Sequence, residues 1–268
     1  PTTGDTPLSV SFIDTSTGSP TGWAWFFGDE TYNDSWIQQS PAAAWGNRSA
    51  HSSVVLPDGS IVLMGGWNGD LPYFNDVWCS KDKGATWTQV NPHAEWSARI
   101  HHTSVVLKDG SIVLMGGYGF TEGLKNDVWQ SIDKGATWIQ VTSNAEWMGR
   151  SLFSSLVMPD GSIVVMGGVY DTNHSWGKND TWRSIDNGTT WIQMNASSGW
   201  DARCGHSSVA LPDGTILLMG GYRETDGRVN DVWKSTDNGA TWAQVNANAE
   251  WNARERHTSS ATPDGSIV

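Results

Sequence analysis

The sequence predicts an all-β fold, a β-propeller of four-stranded antiparallel blades, and three observations carry that prediction. The dipeptide Asp-Gly returns at Asp58, Asp109, Asp160, Asp213 and Asp264, in steps of 51, 51, 53 and 51 residues. Each step holds four short apolar or alternating runs and no stretch with the period of a helix. The octapeptide SKDKGATW (80–87) is written again as SIDKGATW (131–138), SIDNGTTW (184–191) and STDNGATW (235–242). A repeat of this length holding four strands is the signature of a propeller blade.

The elements of one unit come in a fixed order. HSSVVLPDGSIVLMGG (51–66) and its copies at 102–117, 153–168 and 206–221 give two short β-branched strands joined by a tight Asp-Gly turn. Their near-continuous apolar character predicts strands covered on both faces. A double glycine then opens loops that differ in every unit: WNGDLPYF (67–74), YGFTEGLK (118–125), VYDTNHSWGK (169–178) and YRETDGRV (222–229). The third is two residues longer, which accounts for the 53-residue step. NDVW or NDTW starts a third strand, the octapeptide turns it, and runs such as TWTQV make a fourth. Their alternation predicts outer, half-exposed strands. A Trp-x-x-Arg segment leads into the next unit.

Arg99-x-x-His102, Gly116-Gly117 and Trp138 resemble a kelch repeat, and S-x-D-x-G-x-T-W resembles the Asp-box of sialidase-type propellers. Both resemblances recur in register over residues 35–268. They imply an octapeptide turn between the third and fourth strands, with a structural role for Asp82, Asp133, Asp186 and Asp237. The Asp side chain accepts backbone N–H bonds, Gly supplies the positive φ and Trp packs beneath. Fourteen of the eighteen Trp recur at fixed repeat positions, as packing between blades demands.

Units start near residues 51, 102, 153, 206 and 257, and the last stops at PDGSIV after its first strand and the start of a second. Trp36, Trp45 and Arg48 keep the spacing of Trp138, Trp147 and Arg150. The expectation is therefore five blades, one of them shared between the two ends of the chain, with Ser35–Gln39 beside His257–Val268. Residues 23–268 form the propeller in this reading. Residues 1–22 belong to a stretch, GDTPLSVSFIDTSTGSPTGWAWFFGDE, that resembles the front half of a PKD module and so an archaeal or bacterial surface protein.

The net charge of −12 argues against nucleic acid or an anionic membrane as partner, and no stretch is long enough for a membrane span. Six N-x-[ST] sequons, at Asn33, Asn47, Asn173, Asn179, Asn187 and Asn195, with few Cys and Lys, fit an extracellular or cell-surface protein. Cys79 and Cys204 occupy different repeat positions and are read as unpaired thiols. The expected function is a non-catalytic recognition module for glycans or surface proteins, working through the variable loops. Trp67, Tyr73, Tyr118, Tyr170, Trp176 and Tyr222 are its aromatic candidates. Arg48, Arg99, Arg150, Arg203 and Arg254 recur once per unit. They either ring the channel mouth and bind carboxylates or bond carbonyls and carboxylates of a neighbouring blade. His51, His102, His206 and His257 recur too, but Phe153 replaces one, which argues packing over metal ligation. No cofactor motif is recognisable. A sialidase-like glycosidase and a structural envelope component stand as alternatives; the first needs an asymmetric acid/base pair that near-identical units do not single out.

Overall fold

The computed structural model divides into two units, Pro1–Gln38 and Gln39–Val268. Residues 37–170, 177–262 and 265–268 are described, nearly all of them in the second unit. The PKD-like stretch and Trp176 lie outside the described residues.

Among the described residues, four sheets of four antiparallel strands succeed one another along the chain. The first takes β1 (Ser52–Val55), β2 (Ile61–Gly66), β3 (Phe74–Ser80) and β4 (Thr88–Asn91). The second takes β5 (Thr103–Val106), β6 (Ile112–Gly119), β7 (Gly123–Ser131) and β8 (Ile139–Thr142). The third takes β9 (Ser154–Val157), β10 (Ile163–Met166), β11 (Thr181–Ser184) and β12 (Ile192–Asn195). The fourth takes β13 (Ser207–Ala210), β14 (Ile216–Arg223), β15 (Gly227–Ser235) and β16 (Ala243–Asn246). Each is a meander in which every strand pairs with its sequence neighbours. The first strands touch in series, β1 on β5, β5 on β9 and β9 on β13.

Against the expectation of five blades, the described residues hold four sheets and a fragment of the fifth unit. The fifth unit contributes a hairpin, with Ala261 bridged to Ile267 and Ser260 exchanging backbone hydrogen bonds with Val268. Residues 23–36, which a shared blade would require, are outside the described residues.

The core lies between sheets, because the second strands are covered on both faces. In β6, Ile112 and Leu114 pack toward the first sheet with Val62, Met64 and Trp138. Val113 and Met115 pack toward the third with Ile163, Val165 and Trp191. All four β6 residues are fully buried, as the continuous apolar run predicts. The third strands are more buried than their alternation suggests, and the cause is the octapeptide of the following blade. At Gly188, φ is +91° and a Cβ would sit 2.8 Å from Val128 Cγ1 of the preceding blade. Only glycine allows that approach. The fourth strands are the exposed ones.

The octapeptide is a self-contained turn. In the third blade Thr190 N and Oγ1 donate to the Asp186 carboxylate at 2.9 and 2.7 Å, and Gly188 N donates to Ser184 Oγ at 2.9 Å. Trp191 Nε1 donates to Gly188 O at 3.1 Å. The turn also reaches back: Trp191 N donates to Glu146 Oε2 at 3.1 Å. The same Trp meets Trp147 edge-on, at 5.9 Å between ring centroids.

Candidate functional site

The variable loops and the Trp-x-x-Arg segments share one end of the sheets, tied together by backbone bridges between Ser49 and Trp67, Ile100 and Tyr118, Ser151 and Val169, and Cys204 and Tyr222. Construction of this end starts from the arginines. Arg99 is fully buried. Its backbone belongs to the first blade: Arg99 N donates to Phe74 O at 3.2 Å, and Arg99 O accepts from Gly66 N at 3.1 Å. Its guanidinium enters the second blade, reaching Asp127 with both Nη atoms at 2.6 and 2.8 Å and Gly116 O at 2.9 Å. Arg48 with Asp76, Arg150 with Asp180 and Arg203 with Asp231 repeat the clamp.

An anion-binding ring is therefore not what these four arginines form, since each guanidinium is already neutralised by a two-toothed carboxylate. The carboxylate comes from the unit that the Arg leads into. Burial pushes the Asp127 and Asp180 carboxyls up, but the Arg hydrogen bonds and charges, with Trp129 and Trp182 Nε1, hold them below the usual range. Arg254 differs: it is exposed, lies over Trp251 at 5.7 Å and donates from Nε to Asn252 O.

Of the aromatic candidates, Trp67, Tyr73 and Tyr118 come together. Tyr73 stands 6.2 Å from Trp67 and 6.4 Å from Tyr118, and 5.9 Å edge-on from Phe120. Phe120 and Leu71 are more than half exposed, at 54% and 52%. Sequence reasoning missed these two, although both lie in the loops that vary. Tyr170 is engaged by Lys178, whose Nζ lies 4.3 Å above its ring. Tyr222 belongs to a different surface, where Arg223 pairs with Asp201 and Asp226 and Arg228 with Glu255. The loop end is thus apolar and aromatic over the first two blades and charged over the fourth.

His102 and His206 are buried, and burial, with Arg99 or Arg203 nearby, lowers each pKa to about 3, so both imidazoles are neutral. Cys79 and Cys204 are free and buried, and burial pushes the Cys204 thiol up to about 11. Among the described residues no group of three His, Cys, Asp or Glu could hold a metal ion.

The sequence profile of the KLHDC2/KLHL20/DRC7 Kelch-repeats domain matches residues 25–221. The chain belongs to the kelch-repeat family. Its kelch units are also similar to Adagio-like protein 1 of Oryza sativa subsp. japonica, 28% identical over 169 residues, covering 62% of this chain and 27% of that one. A xyloglucanase of Paenibacillus sp is 24% identical over 248 residues, covering 80% and 23%. The chain spans less than a third of the length of these curated relatives. The structure of YjhT superposes with a TM-score of 0.63 at 17% identity, covering 81% of this chain and 70% of that one, a likeness of fold. Of the resemblances drawn from sequence, the kelch one is the family.

Proposed function

We propose that the chain is a non-catalytic recognition module that binds a protein partner through its loop end. The observation that carries this is exposed Phe120, seated against Tyr73 with Trp67 and Tyr118 around it, together with exposed Leu71 in the same loop as Trp67 and Tyr73. Exposed aromatic and aliphatic anchors on a rigid base are what interface hot spots are made of. Rings packed edge-on expose hydrocarbon tips rather than a flat face, which favours a protein over a sugar stacked on them. Kelch-repeat propellers generally serve protein–protein interaction, which supports the same reading. An extracellular or cell-surface setting is part of the proposal; it rests on the sequons, of which Asn47 and Asn187 are exposed. The non-catalytic reading rests on near-identical units, which single out no asymmetric acid/base pair.

The test is a double substitution, Leu71→Ala with Phe120→Ala. Quantitative capture from native extracts should recover partners with the unaltered chain and lose them at least about tenfold with the variant, whose folding stability should change by no more than about 0.5 kcal/mol. Identical recovery by the two proteins would remove these two side chains from recognition. A glycan array run in parallel reports the sugar alternative, and hydrolysis of a sialoside, uronide or xyloglucan panel would overturn the non-catalytic reading.

A further inference from the structure

Four sequons fall among the described residues, at Asn47, Asn179, Asn187 and Asn195. An N-linked glycan takes one of the two hydrogens of the side-chain amide and needs open space beyond it. The fold denies both at two of the four. Asn179 Nδ2 donates to Trp200 O at 3.1 Å and to Ser197 Oγ at 3.2 Å. The bond to the Trp carbonyl recurs in the other blades from Asn75, Asn126 and Asn230. Asn195 ties two blades together: its Nδ2 donates to Ala240 O at 2.7 Å, and its Oδ1 accepts from Ser197 N at 2.8 Å. Asn47 is exposed, but the two residues after it are pinned. Arg48 is clamped to Asp76, and Ser49 exchanges backbone hydrogen bonds with Trp67 at 2.8 and 3.0 Å.

Asn187 is free of these restraints. It stands exposed in the octapeptide of the third blade with φ at +59°, and its amide has no hydrogen-bond partner among the described residues. Thr189, which completes the sequon, is exposed too, and its hydroxyl donates to Asp186 O at 2.8 Å within the same turn. The preceding joint supplies the comparison. There Lys134 holds the equivalent place and closes onto Asp58 of the first blade. The shorter Asn187 makes no such bond to Asp109, the equivalent acid, which accepts from Ser111 N and Oγ of its own turn at 2.9 and 2.6 Å. A cleft of about 350 Å³ is open at this joint, with Lys108, Asp109, Arg183, Ile185 and Asn187 in its lining. Polar walls beside the exposed Ile185 suit the first sugar of a glycan, which carries both hydroxyls and a C–H face. The third strand runs from the variable loop to the octapeptide, so a glycan here leaves the loop end uncovered.

We propose that Asn187 is the sequon of the described residues that carries an N-linked glycan. The inference rests on the extracellular setting proposed above. The donor is a polyprenyl-diphosphate-linked oligosaccharide and the catalyst an oligosaccharyltransferase. Asn187 Nδ2 forms a bond to C1 of the first sugar. The bond from C1 to the diphosphate oxygen breaks, its electron pair leaves with the diphosphate, and the proton lost from Nδ2 passes to a base of the transferase.

The experiment secretes the full chain from an N-glycosylating host and maps the folded, monodisperse fraction by peptide mass spectrometry, with enzymatic deglycosylation in heavy-oxygen water to mark each occupied Asn. Asn187 should be occupied, and Asn179 and Asn195 bare. Asn187→Lys and Thr189→Ala should each lose one glycan mass, and both should fold, because Lys134 and Ala136 already stand at those places in the second blade. The pair Lys134→Asn with Ala136→Thr writes the same sequon into the second blade and should gain one glycan mass. A bare Asn187 in the folded fraction would overturn the proposal. So would higher occupancy at Asn47, Asn179 or Asn195, or no gain in the second blade. Fractionation of the cells that naturally make the chain separates the glycan from the setting it rests on. A chain found outside the cell with Asn187 bare overturns the glycan alone, and a chain found in the cytosol overturns both.

Discussion

The two ends of the sheets contrast in how they treat the repeat. At the octapeptide end each unit does the same thing: Asp82, Asp133, Asp186 and Asp237 each accept a backbone N–H and a Thr hydroxyl from the residue four ahead. At the loop end the Arg clamps repeat, but the loops beyond them differ in every unit, from the edge-on rings of Trp67, Tyr73 and Phe120 to the ion pairs of Arg223. Docking of blade on blade requires sameness, because each turn must fit the sheet before it. Recognition requires a surface that is not self-similar. The fold meets both demands by keeping the octapeptides and the Arg clamps constant and leaving variation to the loops beyond the clamps.

The largest effects should come from the clamps that serve docking. Arg150→Ala leaves Asp180 buried without its partner and should cost about 3–5 kcal/mol, read as a fall in thermal and denaturant midpoints. Arg254→Ala, the same change at an exposed guanidinium, should cost no more than about 0.5 kcal/mol. Equal losses at the two positions would mean that burial of the pair is not what matters.

Next in size is the octapeptide glycine. Gly188→Ala must both hold φ at +91° and push against Val128, and should destabilise by about 1–3 kcal/mol. Gly84 has the same φ and no atom within 4 Å of a Cβ, and among the described residues no sheet precedes its own. Gly84→Ala should therefore cost only the backbone share, about 1 kcal/mol. The difference between the two isolates the contact between blades.

The smallest effect concerns pH. His206 has its folded pKa lowered from 6.5 to about 3 by burial and by Arg203 and His257 nearby. As pH falls below 6.5 the unfolded chain takes up a proton first, so the stability contribution present above that pH is lost progressively down to about 3. His102 behaves likewise. His206→Phe should leave stability at pH 7 little changed and flatten its decline over that window, measured as denaturant midpoint against pH. Below about 3.8 the decline should persist in the variant, because Asp127, Asp180 and Asp231 keep depressed pKa values that protonation must overcome.

Much of this contrast was legible in the residues. The Asp-Gly turns, the buried runs after them and the octapeptide each depend on contacts within a dozen residues, and local chemistry reads them well. The arginines show where that reading stops. Their recurrence was visible, but their partners lie 28 or 30 residues on, in Asp76, Asp127, Asp180 and Asp231. Those carboxylates read only as part of a strand's alternation. The signal was present as a second constant spacing between Arg and the Asp of NDVW or NDTW. Phe120 and Leu71 were hidden for the opposite reason, because a variable loop offers no internal copy to compare. Blade number was not legible from local pattern at all.

A hydrogen-bonded string along the lead-in segments bears on that last point: His101 N donates to Ala50 O, Leu152 N to His101 O, Gly205 N to Leu152 O and Arg256 N to Gly205 O. Every link joins a unit to the one before it and carries no record of its position in the series. Such a chain specifies a step and has no means of counting. Inserting or deleting a whole kelch unit should therefore change the width of the opening that the string surrounds, while leaving each joint chemically unaltered.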